Sequence, residues 1–141
     1  MRSDAVKKGV ERIPHRALLR ACGLKGEDLD KPLVAIANSW NQIVPGHVHM
    51  MELFEEIATG VREAGGIPLG FGVPAICDGI AMNVEMRYSL PSRELVADSI
   101  EAVVRSHSYD GWVGLTNCDK ITPGMLMACG RLDIPAVIVT G

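Results

Sequence analysis

The sequence predicts an α/β fold, a parallel sheet with helices on both faces. Two observations carry this. Short apolar runs alternate with stretches of helical apolar spacing along the chain, an alternation that implies right-handed crossovers and a parallel sheet. The short runs are also almost continuously apolar, as strands buried on both sides must be.

An N-terminal helix is expected from His15 to Cys22, stopped by Gly23. Residues 32–38 (PLVAIAN) read as the first strand. His47 to Ala64 is helical, with Val48, Met51, Phe54, Ile57, Ala58 and Val61 on one face and Gly65-Gly66 ending it. Ile67 to Ile76 is a second, glycine-broken extended run. In the helix from Pro91 to His107, Pro91 suits the first turn and Glu94 the positive end. Leu95, Val96, Ile100, Val103 and Val104 make its buried stripe. Gly111 to Thr116 is the third strand. Thr122 as N-cap and Pro123 behind it open a helix to Leu132, and Ile134 to Thr140 is the fourth strand. The order of strands within the sheet is not encoded locally. No internal repeat or linker interrupts the pattern.

Length and charge narrow the classes of function. The 141 residues suit one domain. Lys and Arg number 14 against 17 Asp and Glu, a net charge of −3, which argues against a nucleic-acid or anionic-membrane surface. With 48% hydrophobic and 22% charged residues the chain is not disordered. The most apolar segment, Ile67 to Cys77, is interrupted by prolines and glycines, and the N-terminus lacks the apolar core of a secretory signal. The expectation is a soluble, cytoplasmic chain with neither nucleic acid nor membrane as partner. Leaving out the two tyrosines and counting glycine with the apolar residues brings their share to about 57%, above the usual ~45–50%. So short a chain cannot hide that surface. Further protein is expected to cover it, either more of the same polypeptide or a second subunit, and residues 1–141 are read as an N-terminal piece.

The four cysteines form no CxxC pair, and in a reducing compartment they are expected as thiols. Cys22 and Cys129 lie on apolar helix faces and are assigned to the core. Cys77 and Cys118 fall in loops that follow strands. Parallel sheets bind ligands beyond the carboxyl ends of their strands, and here three such loops, residues 38–47, 77–91 and 117–123, carry polar or metal-capable side chains. Asn117-Cys118-Asp119-Lys120 precedes a helix N-terminus, which favours anions and lowers thiol pKa values. The segment reads either as a solvated turn with Asp119 capping the helix or as a pair of metal ligands. Cys118 would suit soft metal or Fe–S iron, and Asp119 a hard cation. A nucleophilic Cys118 with His47, His49 or His107 as base is a weaker reading. Asp78-Gly79 is a common turn pair; Asp78 becomes attractive as a cation ligand because Asp119 should share its edge. Cys77 reads as packing or as a cluster ligand. His47 and His49, two apart at a helix start, diverge too far to share one zinc. No phosphate-binding glycine motif is present.

Residues 117–127 (NCDKITPGMLM), 88–100 (YSLPSRELVADSI), 77–82 (CDGIAM), 38–41 (NSWN) and 44–49 (VPGHVH) together resemble the dihydroxy-acid dehydratase family, which includes 6-phosphogluconate and sugar-acid dehydratases. The likeness spans nearly the whole chain and implies the N-terminal portion of the enzyme. It implies an iron–sulfur cluster on Cys118. It also implies Mg²⁺ on Asp78, Asp119 and Lys120, the last as a carbamate, since an ammonium cannot ligate a cation. The family reaction removes water from a 2,3-dihydroxy acid to give a 2-oxo acid, and 88–94 favours the branched-chain acids of valine and isoleucine synthesis. A sugar-acid or 6-phosphogluconate dehydratase and a non-catalytic binding domain are the alternatives. No catalytic base is implied within these residues; a serine base and further ligands are expected downstream, in a homodimeric full-length enzyme, so residues 1–141 alone are expected to be inactive. Gly46 stands where all-cysteine [2Fe–2S] members carry cysteine, which leaves [4Fe–4S] and [2Fe–2S] both open. Residues 83–86 are shorter than the family's glycine-containing stretch.

Overall fold

The computed structural model describes residues Met1 to Gly141. Its centre is an all-parallel sheet of β1 (Leu33–Asn38), β2 (Ile67–Gly72), β3 (Gly111–Thr116) and β4 (Ala136–Thr140), ordered β2-β1-β3-β4. The helices are α1 (Asp4–Lys7), α2 (Ile13–Ala21), α3 (Met50–Glu63), α4 (Asp78–Ala81), α5 (Ser92–Ser106) and α6 (Ile121–Leu132). The three-layer α/β/α arrangement is the one expected.

Register decides which helix lies on which face. Ile36 aligns with Gly70 and Val113, whereas Ala37 aligns with Phe71 and Gly114, and successive strand residues face opposite sides. A methyl group on Gly70 would come within 2.4 Å of the Phe54 ring of α3, and one on Gly114 within 2.7 Å of the Met125 sulfur of α6. So α3 covers one face while α6, with α5 beside it, covers the other. The larger core lies on the α5–α6 side, where Val96, Ile100, Val104, Ile121 and Met125 meet Ala35, Ala37 and Trp112. At the amino edge, Asp110 accepts hydrogen bonds from Ser3 N (3.0 Å), Ser3 Oγ (2.5 Å) and Leu33 N (2.9 Å). Buried Lys7 donates to the Lys31 carbonyl at 2.6 Å. These contacts fasten the N-terminal segment to the sheet.

Several local expectations shift. Leu95 is exposed, and the buried face of α5 is Val96, Ala97, Ile100 and Val104, because this helix packs against α6 as well as the sheet. Met50 is buried in α3 whereas Val48 and Met51 are exposed; the helix begins at Met50, after a 3₁₀ turn over Pro45–His47. Lys120, not Thr122, is the N-cap of α6; Thr122 turns its hydroxyl to Thr116 Oγ1 at 3.2 Å, and Pro123 sits in the first turn, where its missing N–H costs nothing. β2 stops at Gly72 and β4 starts at Ala136, next to Pro74 and Pro135, which have no N–H for a ladder. Cys22 is exposed at the end of α2, a helix with no fully buried residue, so its assignment to the core was wrong; Cys129 is half-buried against the core. Large apolar side chains remain exposed, Leu18, Leu126 and Val137 among them. No helix is long and apolar enough to cross a membrane.

Candidate metal centre

Because β1 feeds a helix on one face and β3 a helix on the other, their adjacent carboxyl ends open a crevice at the point where the strand order reverses. Open parallel sheets bind ligands there. Ser39 closes the β1 rim, bonding Leu115 O through its backbone N (3.2 Å) and its Oγ (2.9 Å). The loop then returns His47, fully buried, with Nδ1 2.7 Å from the Ser39 carbonyl oxygen and Nε2 3.2 Å from Cys118 Sγ. A carbonyl only accepts, so Nδ1 carries the proton, and Nε2 accepts from the Cys118 thiol. Burial holds the His47 imidazole below its ordinary pKa; it pushes the Cys118 thiol up, against the pull of Lys120. Thiol and imidazole face each other as neutral groups.

Cys118 has φ +67°, a left-handed conformation that costs a non-glycine residue about 1–2 kcal/mol. Asn117 holds it there: its Oδ1 accepts from Cys118 N at 3.0 Å and its Nδ2 donates to Gly46 O at 3.3 Å, tying the two rims together. Asn41, in the loop after β1, donates its Nδ2 to Ala75 O in the loop after β2 at 2.9 Å, and further along that second loop Asp78 opens the single turn of α4. Lys120 Nζ lies 2.6 Å from Asp78 Oδ1 and 3.6 Å from Asp119 Oδ1; the lysine side chain is 2% exposed and that of Asp119 74%. Ser89, fully buried, donates to the same Asp78 oxygen. The bonds from Lys120 and Ser89 hold the Asp78 carboxyl below the usual range. Burial pulls the Lys120 ammonium down, but Asp78 outweighs it and holds the ammonium above its ordinary value.

Cys118, Asp78, Asp119 and Lys120 therefore share one rim, close enough that all three charged side chains act on the thiol. No three His, Cys, Asp or Glu side chains already converge as a metal cage. The donor chemistry nonetheless fits two kinds of metal. The Lys120 ammonium, a cation between two carboxylates, stands where a divalent cation would sit, and carbamylation would turn it into an anion touching Asp78 that demands a cation between them. Cys118 offers a soft sulfur, and a side chain at Gly46 would have room, its nearest neighbour being Asn117 Nδ2 at 3.5 Å. Sequence reasoning missed Ser89, which had no signal beyond lying in the loop after β2. It offered His47 only as one of three candidate bases beside Cys118, and of these the structure places His47 against that sulfur. A cavity of about 550 Å³ lies at the opposite edge of the sheet beside Leu19, Leu33 and Tyr109 and contains none of these residues.

Residues 31–141 match the family described as dihydroxy-acid/6-phosphogluconate dehydratase N-terminal. The chain is 61% identical over its whole length to dihydroxy-acid dehydratase of Pyrococcus abyssi, covering 26% of that protein. It is 60% identical over 99% of its length to the enzyme of that name from Aquifex aeolicus, covering 25% of it, and 56% identical over its whole length to that of Methanobrevibacter smithii, covering 26%. The chain thus spans about a quarter of the length of these relatives. With its parallel α/β sheet and the motifs that shape this rim, the chain belongs to the dihydroxy-acid/6-phosphogluconate dehydratase family, within the family's N-terminal region.

Proposed function

We propose that this chain is the metal-binding N-terminal part of a dihydroxy-acid dehydratase, a hydro-lyase acting on 2,3-dihydroxy-3-methylbutanoate and 2,3-dihydroxy-3-methylpentanoate. The products are the 2-oxo acids of valine and isoleucine synthesis. The supporting observation is the meeting of a soft donor, Cys118, with a pair of buried Lys120 and half-buried Asp78 at one strand-end crevice.

In this reading Cys118 holds an iron–sulfur cluster, and Asp78, Asp119 and carbamylated Lys120 hold Mg²⁺. When bound, the metals supply Lewis acidity, iron to the departing C3 hydroxyl and Mg²⁺ to the carboxylate and C2 hydroxyl, which acidifies the C2 proton. Ser89 and Lys120 both engage Oδ1 of Asp78, and no hydrogen bond engages its other oxygen. Asp119, largely exposed, is free to swing in from the solvent side. Overall, C2 loses its proton and C3 its hydroxide, so that water leaves and the resulting enol tautomerises to the 2-oxo acid. No base for C2 is assigned within residues 1–141.

The test is 2-oxo acid formation by the polypeptide carrying this segment at the length of its relatives, purified under argon. Dihydroxy-methylbutanoate, gluconate and 6-phosphogluconate are assayed side by side. Turnover of the branched-chain acid, lost in Cys118→Ser and Asp78→Asn, is the expected result. Preference for a sugar acid would move the assignment to the other branch of the family, and a colourless protein without turnover would favour a binding domain.

A further inference from the structure

The Cys118 thiol faces a buried imidazole that the reading above leaves unused. Ser39 O fixes the His47 proton on Nδ1, so the Nε2 lone pair points at the sulfur. Any metal that takes Cys118 as thiolate removes the proton shared with Nε2. A fully buried lone pair would then face an anionic sulfur at 3.2 Å, with no other donor within hydrogen-bond distance of that nitrogen. Metal coordination resolves the conflict. Two donors on one tetrahedral ion, with metal–sulfur and metal–nitrogen bonds of about 2.3 and 2.0–2.1 Å, lie about 3.5 Å apart. The observed 3.2 Å is within a few tenths of an ångström of that span. The Nδ1–H to backbone carbonyl bond is also the outer contact that typically fixes the tautomer of a ligating histidine. Gly46, next in the chain, offers no side chain to compete for the position.

We propose that His47 Nε2 is a protein ligand to the same metal atom as Cys118 Sγ, so that the soft site of this chain is a mixed sulfur–nitrogen site. The proposal rests on the assignment of Cys118 as a metal ligand. Its test separates the two.

The full 141-residue chain is titrated anaerobically with Co²⁺, which takes tetrahedral sulfur and nitrogen donors and reports them optically. Wild type should show thiolate-to-cobalt charge transfer, and Cys118→Ser should lose it. His47→Gln should keep the charge-transfer band but weaken the affinity by roughly tenfold or more. Independently of any variant, ¹⁵N-histidine labelling of the wild-type cobalt form should show one strongly hyperfine-shifted ring N–H, the Nδ1 proton held by Ser39 and slow to exchange. This measurement stands even if His47→Gln fails to fold. A cobalt-bound wild type with the thiolate band but no shifted histidine N–H, or a folded His47→Gln that binds as tightly as wild type, overturns His47 as a ligand and leaves Cys118 in place. Absence of the thiolate band in wild type, or its persistence in Cys118→Ser, overturns the Cys118 assignment and the proposal with it.

Discussion

Asp110 joins three pieces of chain through Ser3, Leu33 and the start of β3. Burial pushes its carboxyl up, but the donors from Ser3 and Leu33 and the nearby Lys7 charge outweigh this, so it titrates below the ordinary range. The folded form therefore gains stability that is fully present above the unfolded value, about 3.9, and is lost as pH falls through the folded one. Asp110→Asn should lower stability at neutral pH by about 1–2 kcal/mol. It should also flatten the decline below about pH 4, as measured by urea unfolding across that range. Gly46 and Gly124 make opposite predictions from local space. A side chain at 46 meets only an ordinary contact, whereas a methyl group at 124 would lie 2.7 Å from the Arg93 carbonyl oxygen. Gly46→Cys should change the unfolding midpoint little, and Gly124→Ala should destabilise by about 1–3 kcal/mol.

That crowding at Gly124 is how α5 and α6 come to share one face of the sheet. Arg131 of α6 adds ion pairs to Glu94, Asp98 and Glu101 of α5 on the outer side of the contact. These pairs are largely exposed and worth little. Arg131→Ala should cost under about 1 kcal/mol, well below Gly124→Ala, and a Tm comparison of the two variants checks the ranking. The elements themselves were legible from apolar periodicity and the glycine stops, because burial imposes both. Their inner faces were less so. Leu95 counts toward the stripe of an isolated helix, but once α6 occupies one flank of α5 the buried face turns to Ala97. Likewise the N-cap of α6 fell on Lys120, since the loop places that side chain against Asp78 and frees Thr122 for Thr116.

At the scale of the molecule, the apolar surplus in the composition lies on the surface, at Leu18 of α2, Leu126 of α6 and Val137 on edge strand β4. Leu18→Lys and Val137→Lys should leave the unfolding free energy within about 0.5 kcal/mol of wild type. They should also reduce self-association in sedimentation experiments. The meeting of the strand-end loops was legible because parallel strands send every carboxyl end to one edge. Strand order was not, and the pairing of His47 with Cys118 depends on it, since only β1 beside β3 brings those loops together. The central proposal is that the pair of buried Lys120 and half-buried Asp78 marks a hard-cation site beside a soft sulfur. A crystal structure of the chain grown with Mn²⁺ and bicarbonate tests it most directly. The account predicts one manganese anomalous peak bounded by Asp78, Asp119 and a carbamylated Lys120. An unmodified Lys120 still paired with Asp78, and no manganese at that rim, would contradict it.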